Sequence, residues 1–341
     1  MRKGVLWLLL GVFSTAIAEV SISSSPLVFF SSYGILFVLP LYTLHILFLS
    51  SIAMKKSQTV RFSSLIFAGA LFGLYEAYIT KVLWNPPWNT ESITFMQVSV
   101  FTFLVLVFFY HTWMSFIFPL LIVEHFVFSD QRIFDSLPVG LQKLFSKRAF
   151  VILMIVFFGI ANGISNLSIA DSIVSVFGTS AIMYLLLVFT RRLFAGSDKS
   201  LVDFLPRGIG LWIIFAGILV TYGLHLFDTR PEAFPGWIGH LMILTAYLVF
   251  GILLYRSQRG NQVTEVPEIS IIPQINRIWV AATLLFAINS LIAVSFLKVF
   301  QPLFVGILWA VGIPFGLWIF GKAVKNLSNK NDDLSTSIPL K

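Results

Sequence analysis

Ten apolar stretches, each close to the length a helix needs to cross a bilayer, divide this chain and leave short polar links between them. A hydrocarbon core about 30 Å thick takes roughly 20 residues at 1.5 Å per residue. Inside it every backbone N–H and C=O must be satisfied within the protein, which confines the spanning segments to helices or a closed barrel. The stretches lie near 4–20, 27–50, 62–84, 98–123, 150–167, 170–190, 208–227, 236–255, 279–299 and 302–320. They predict an all-α fold: a polytopic integral membrane helix bundle of about ten transmembrane helices over residues 1–325. A polar tail at 326–341 is expected to be disordered.

The basic residues give this bundle a direction. Of 23 Lys and Arg residues, 20 fall in alternate links or at the termini, leaving Lys81, Arg230 and Lys298 on the other side. Lys and Arg near span ends resist transfer across the membrane, so both termini are expected in the cytoplasm. A formal charge of +8 spread over six segments, without clustered aromatic residues, suits anionic headgroups rather than nucleic acid. Only 11% of the residues are charged, against about 25% in soluble domains. With no cysteine there is no disulfide, thiolate metal site, iron-sulfur cluster or cysteine nucleophile. No metal or cofactor is expected. The expected partners are membrane lipids and a small-molecule or lipid substrate, the expected location is a prokaryotic cell membrane, and the sequence sets no oligomeric state.

Arg2 and Lys3, the apolar run after them and Ala16-Ile17-Ala18 also fit a signal peptide cleaved before Glu19. Retention as a first span is the expectation. Between spans, Leu137, Leu141, Leu144 and Phe145 recur at helical spacing beside Lys143, Lys147 and Arg148, predicting an interfacial helix. The run Phe95 to Phe128 would extend about 51 Å as one straight helix, so a tilt or a break near Pro119 is expected.

Glu76 is the most informative single residue. A charge at the centre of a span costs about 2.5–3.5 kcal/mol on insertion scales, so its side chain should face a protein interior or a wet cavity. Gly69, Gly73 and Ala77 form a small-residue stripe beside it, along which another helix can approach. Thr80 shares its face at i+4, while Lys81 is rotated away and is expected to snorkel outward. His111, Ser115 and Pro119 form a second polar line in the fourth span. A histidine there can exchange protons near neutral pH or simply hydrogen-bond between helices. Glu124 and His125 are adjacent and do not face one another; Glu124 is expected to pair with loop cations.

Glu19, Asp171, Asp228, His225 and His240 fall toward the outer side, lining a vestibule with Glu76 or merely solvated. His45, Asn162, Asn166 and Asn289 are expected to pack the bundle through hydrogen bonds. Trp84, Trp88 and Trp237 sit where an outer aromatic belt belongs, and Gly312-Ile313-Pro314-Phe315-Gly316 marks a flexible point.

Two resemblances rest on these residues. Ala18-Glu19, Ser24-Ser25-Pro26-Leu27, Phe29-Phe30, Tyr75-Glu76 to Thr80-Lys81, and His111 to Pro119 with Glu124 resemble a poorly characterised group of prokaryotic multispan membrane proteins, over roughly the first half of the chain. The same Glu76 segment is fainter in its similarity to CAAX-protease and bacteriocin-processing intramembrane peptidases, which use Glu-Glu-x-x-x-Arg and later histidines. Ala77 stands at the second Glu, Lys81 at the Arg, and Val107 at the Phe before His111.

The leading expectation is a proton- or cation-coupled secondary transporter or lipid-linked exporter, with Glu76, His111, Ser115, Thr80 and Glu19 as the binding residues. Ten spans with both ends inside resemble transporters built of two oppositely oriented five-helix halves. The alternatives are an intramembrane hydrolase in which Glu76 activates water and His111 positions it, and a noncatalytic assembly partner.

Overall fold

The computed structural model describes the chain apart from residues 1, 22–23, 56–58, 87–92, 129–130, 198, 260–274 and 336–341, with backbone alone at 228, 275 and 328–335. Trp88 lies outside the described residues, as does the side chain of Asp228.

The protein is an all-α polytopic membrane protein. In chain order the helices are α1 (Arg2–Val20), α2 (Gly34–Ala53), the shorter α3 (Phe62–Tyr78) and α4 (Val100–Val127). Two short helices follow, α5 (Arg132–Ser136) and α6 (Val139–Phe145). Then come α7 (Arg148–Ser165), α8 (Ile169–Phe194), α9 (Ile209–Phe227) and α10 (Trp237–Ser257). Last are α11 (Ile275–Ile292, extended by Ala293–Leu297) and α12 (Gln301–Ser335), joined by a tight turn at Lys298–Phe300. Among the described residues eight helical stretches are long and apolar enough to cross a membrane, counting Asn276–Leu327 as one.

Helix α1 lies at the heart of the bundle. Leu6, Leu9, Leu10 and Phe13 recur at helical spacing and are fully buried. Helices α7 and α11 cross at a small-residue contact: a Cβ on Gly163 would meet Ser290 O at 2.0 Å, and one on Gly159 would meet Phe286 O at 2.7 Å. Only glycine permits that approach, the familiar use of Gly-x-x-x-Gly in lipid. Helices α8 and α11 run antiparallel, pinned by Ser172–Ser290 at 2.5 Å, Ser180–Thr283 at 2.6 Å and Tyr184–Asn276 at 3.0 Å. Asn162 ties this group to α1, donating to Val20 O at 2.7 Å and Ser175 Oγ at 3.0 Å while accepting from Ser290 and Asn166.

Several local expectations change. The third span does not reach Trp84: its helix is interrupted at Leu74 and ends at Tyr78. The fourth starts late, because Thr94–Phe95 and Val98–Ser99 form a two-residue-turn hairpin, with Met96 and Gln97 both at positive φ as that turn requires. From Val100 it runs unbroken to Val127. Its Leu104–Ile117 stretch is a π-helix, and Pro119 stands second in the α-helical turns that follow, within the continuous helix. Helix α6 turns its apolar face to the bundle rather than to lipid, with Leu141 buried and the Phe145 ring 5.6 Å from that of Phe118.

The expected flexible point in the last span is a packing contact inside a continuous helix. A Cβ on Gly312 would meet the Phe109 ring at 2.6 Å, and one on Gly316 the Phe108 backbone at 3.0 Å. The same helix carries the expected disordered tail as far as Ser335. Trp84 is buried against Tyr78, Phe234 and His240 instead of lying in a belt, whereas Trp237 is exposed.

Candidate functional site

The glycine stripe of α3 explains how two polar helices meet in an apolar interior. A Cβ on Gly69 would stand 2.8 Å from Thr112 Cα, and one on Gly73 would stand 2.9 Å from Val107 Cα, so α3 lies directly against α4. The turn that follows the interruption at Leu74 carries Glu76, and the π-helical stretch of α4 carries His111 and Ser115. π-Helical geometry is rare and, as single-turn bulges, often occurs at functional sites; here it runs over 14 residues.

Glu76 and His111 are 7% and 1% exposed, and Glu76 Oε1 lies 2.7 Å from His111 Nε2. The other carboxylate oxygen accepts from the Thr80 hydroxyl, and His111 Nδ1 lies 2.8 Å from Ser115 Oγ. The backbone carbonyl of Ser115 accepts from Ser14 of α1 at 2.5 Å. Phe72 stacks on the imidazole with centroids 6.0 Å apart, and the rings of Tyr75 and Tyr110 stand at 5.0 and 4.9 Å. A carboxylate and an imidazole at this distance share one proton in either of two arrangements, ion pair or neutral hydrogen bond.

Glu19, on α1, lies in a second hydrogen-bonded set beside this pair. It lies in the π-helical end of that helix, Ala16–Val20, where the Tyr110 hydroxyl takes the carbonyl of Ala18. Its carboxylate accepts from Ser24 Oγ at 2.5 Å and from the Tyr42 hydroxyl at 2.6 Å. Tyr42 is 2.9 Å from the Tyr75 hydroxyl, and the Tyr75 ring stands 5.0 Å from the His111 imidazole. Because Tyr42 donates to Glu19, its oxygen is left to accept from Tyr75. Two hydrogen-bonded sets therefore stand side by side, Glu19–Tyr42–Tyr75 and Thr80–Glu76–His111–Ser115. The five residues singled out in the sequence all lie in these two sets. Tyr42, Tyr75 and Tyr110 were not singled out; the available signal was a tyrosine hydroxyl placed mid-span, which needs a buried partner.

Beside this network, His45 holds Leu41 O through Nδ1 at 2.7 Å and stacks on Tyr222, whose hydroxyl is 2.9 Å from that of Tyr247. His240 stacks on Tyr78, and His225 is buried, with Nδ1 3.2 Å from Thr229 Oγ1. Asp171 accepts from its helix-capping neighbour Ser168 at the surface. Among the described residues no group of three or more His, Cys, Asp or Glu is placed to hold a metal.

Lys81 does not snorkel outward. It is fully buried at φ +60°, donates to the carbonyls of His225 (3.2 Å) and Thr229, and lies 4.8 Å from the Phe234 ring. The carbonyls at the end of α9 carry the negative end of the helix dipole, so they draw the ammonium inward. Arg230 reciprocates on Asn85 O at 2.8 Å, and Lys298 donates to Leu167 O beyond α7 at 2.8 Å. The three exceptions to the charge pattern thus all bind backbone carbonyls. At the other ends, Arg61 takes Ser257 O and Arg207 takes Ser51 O, each at 2.5 Å. Glu124, expected to pair with loop cations, accepts the backbone N–H groups of Ile133 (3.0 Å) and Phe134 (3.4 Å) and so caps α5.

The model of an uncharacterized membrane protein family matches residues 8–327. An uncharacterized protein of Archaeoglobus fulgidus is 30% identical over 252 residues, covering 74% of this chain and 77% of the relative. No solved structure matches.

Proposed function

The chain belongs to this uncharacterized membrane protein family, and for it we propose a proton-coupled secondary transporter or exporter in which the Glu76–His111 pair binds the coupling proton. The observation that carries the reading is the buried Glu76–His111 contact at 2.7 Å, with Glu19, Tyr42 and Tyr75 hydrogen-bonded in a set beside it. Intramembrane ionisable residues that are paired and face the bundle interior are the usual components of proton relays. With Glu76 ionised and His111 neutral, a proton taken up by the pair rests on Nε2 or on Oε1 across the 2.7 Å contact, and its loss restores one negative charge. A change of charge at mid-bundle alters the cost of burying the pair, which is the differential energy a conformational cycle needs.

The hydrolase reading is weaker, although its two residues are in contact. Both imidazole nitrogens have protein partners, Glu76 and Ser115, leaving none to polarise a water or a scissile bond. The charge pattern supports termini in the cytoplasm, with Glu19 and Thr80 toward the outer side.

The test uses proteoliposomes with a trapped pH indicator, challenged with gradients of candidate metabolites and lipophilic cations. A cargo that drives proton movement through the wild-type chain should drive none through Glu76→Gln, with unfolding of the variant unchanged. Equal proton movement through Glu76→Gln removes Glu76 from the mechanism.

A further inference from the structure

Lys81 and Arg230 hold one another's turns in place at the end of α3. Each stands at positive φ, +60° and +50°, a left-handed conformation that residues with a Cβ rarely adopt. Each also heads a tight turn: Lys81 O accepts the N–H groups of Trp84 (3.2 Å) and Asn85 (3.0 Å), and Arg230 O accepts that of Ala233 (3.0 Å). The side chains then cross. Lys81 donates to His225 O and Thr229 O, just before the Arg230 turn, while Arg230 donates to Asn85 O at 2.8 Å and reaches Thr80 O at 3.5 Å. Two strained residues thus meet in one contact, and backbone strain of this kind clusters at clamps and switch regions.

The segment so held is the part of α3 that carries Glu76. Before Leu74, Gly69 and Gly73 press the helix onto the backbone of α4. At Leu74 the bonding tightens to i→i−3, with Leu74 N–H on Leu71 O at 3.3 Å and Ala77 N–H on Leu74 O at 3.1 Å, the 3₁₀ geometry that often marks a hinge within a helix. Beyond it, Tyr75–Tyr78 and the turn to Asn85 are tied to α9 by the crossed cations and to α4 by Glu76 itself. Leu83 O accepts from Ser99 N–H at 2.8 Å, which ties the hairpin to the same arm. Thr80 joins the two holds, its hydroxyl donating to Glu76 and its carbonyl facing Arg230. His111 lies on α4, outside the arm, so a swing about Leu74 away from α4 draws Glu76 off its imidazole.

We propose that residues 75–85 form an outer gate, hinged at Leu74 and latched by Lys81 and Arg230, whose opening separates Glu76 from His111 and admits outside water to the carboxylate. The latched arrangement is the closed one, with Lys81 fully buried and Glu76 7% exposed. Release lets both latch residues return to negative φ, which offsets part of the cost of parting the cations from their carbonyls. The role given to the opening rests on the proton-coupling reading, while the movement itself does not.

The test compares two buried isoleucines, Ile79→Cys in the arm and Ile164→Cys at the end of α7, in a chain with no native cysteine. A membrane-impermeant methanethiosulfonate applied outside intact cells reports how often each position meets outside water. Position 79 should react slowly, and Arg230→Gln or Lys81→Met should raise its rate about tenfold or more, the population shift produced by losing a hydrogen bond from a charged group. Position 164 should keep its rate in the same backgrounds. His111→Leu removes the arm's other hold and should also speed position 79; an unchanged rate there overturns the separation of the pair. Equal acceleration at both positions means general loosening, and an unchanged rate at position 79 with Arg230→Gln means no latch; either overturns the gate. If Lys81→Met does not fold, Arg230→Gln decides alone. The thiol reaction involves neither cargo nor a proton gradient, so its result stands even where proton movement through Glu76→Gln refutes the transport reading.

Discussion

Gly73→Ala tests how the candidate pair is held together. A Cβ at this position stands 2.9 Å from Val107 Cα, 3.1 Å from Leu106 O and 3.4 Å from His111 Cβ. Carbon atoms settle at about 3.5–4.0 Å, so α3 and α4 must part by roughly 0.6–1 Å, and the nearest obstacle is backbone that cannot rotate aside. The same displacement stretches the 2.7 Å contact between Glu76 and His111 to about 3.3–3.7 Å, at the limit of a hydrogen bond. Overpacking alone costs about 1–3 kcal/mol, and losing a hydrogen bond to a charged group adds about 1.5–3 kcal/mol. Unfolding in mixed micelles should therefore show Gly73→Ala destabilised by about 2.5–6 kcal/mol. In a His111→Leu chain the hydrogen bond is already gone and only the overpacking remains, so the coupling in a double-mutant cycle should be about 1.5–3 kcal/mol. Additive effects with no coupling would mean that the glycine stripe does not set the distance between the two side chains.

Three further outcomes are expected. Because the chain has no native cysteine, Lys147→Cys and Glu232→Cys report sidedness without background; a membrane-impermeant thiol reagent should label position 232 in intact cells and position 147 only after permeabilisation, and the reverse pattern inverts the topology. Asn162→Leu removes contacts to Val20, Ser175, Asn166 and Ser290 and should cost about 1–3 kcal/mol in mixed-micelle unfolding, against no loss if the network is incidental. Lys81→Met leaves carbonyls at the end of α9 without their ammonium and should destabilise by about 1.5–3 kcal/mol, whereas a freely snorkelling lysine would be replaced at almost no cost.

Much of this architecture was legible in the sequence because lipid imposes a simple rule: a backbone that cannot hydrogen-bond to solvent becomes helix, and the length of the apolar run marks the span. Glu76 was legible for the same reason, as an expensive charge in the wrong solvent. Its glycine stripe identified the face that a neighbour would approach, but not which helix would come. The aromatic links were not legible, since Tyr42 and Tyr75 come from different helices and nothing local pairs them. Lys81 was misread because its partners, the carbonyls at the end of α9, lie 144 and 148 residues further along the chain. The π-helical stretches at Ala16–Val20 and Leu104–Ile117 carry no compositional mark; of the tilt or break expected near Pro119, the break does not occur, since the helix runs on to Val127.

The most direct measurement is infrared difference spectroscopy of the protein in nanodiscs as pH is varied. If Glu76 is the proton-binding carboxyl, a protonated-carboxyl stretch should rise and fall with pH, vanish in Glu76→Gln, and change its hydrogen-bonding frequency in Thr80→Val and His111→Gln. A titrating band that persists unaltered in Glu76→Gln would place the exchangeable proton elsewhere and contradict the account.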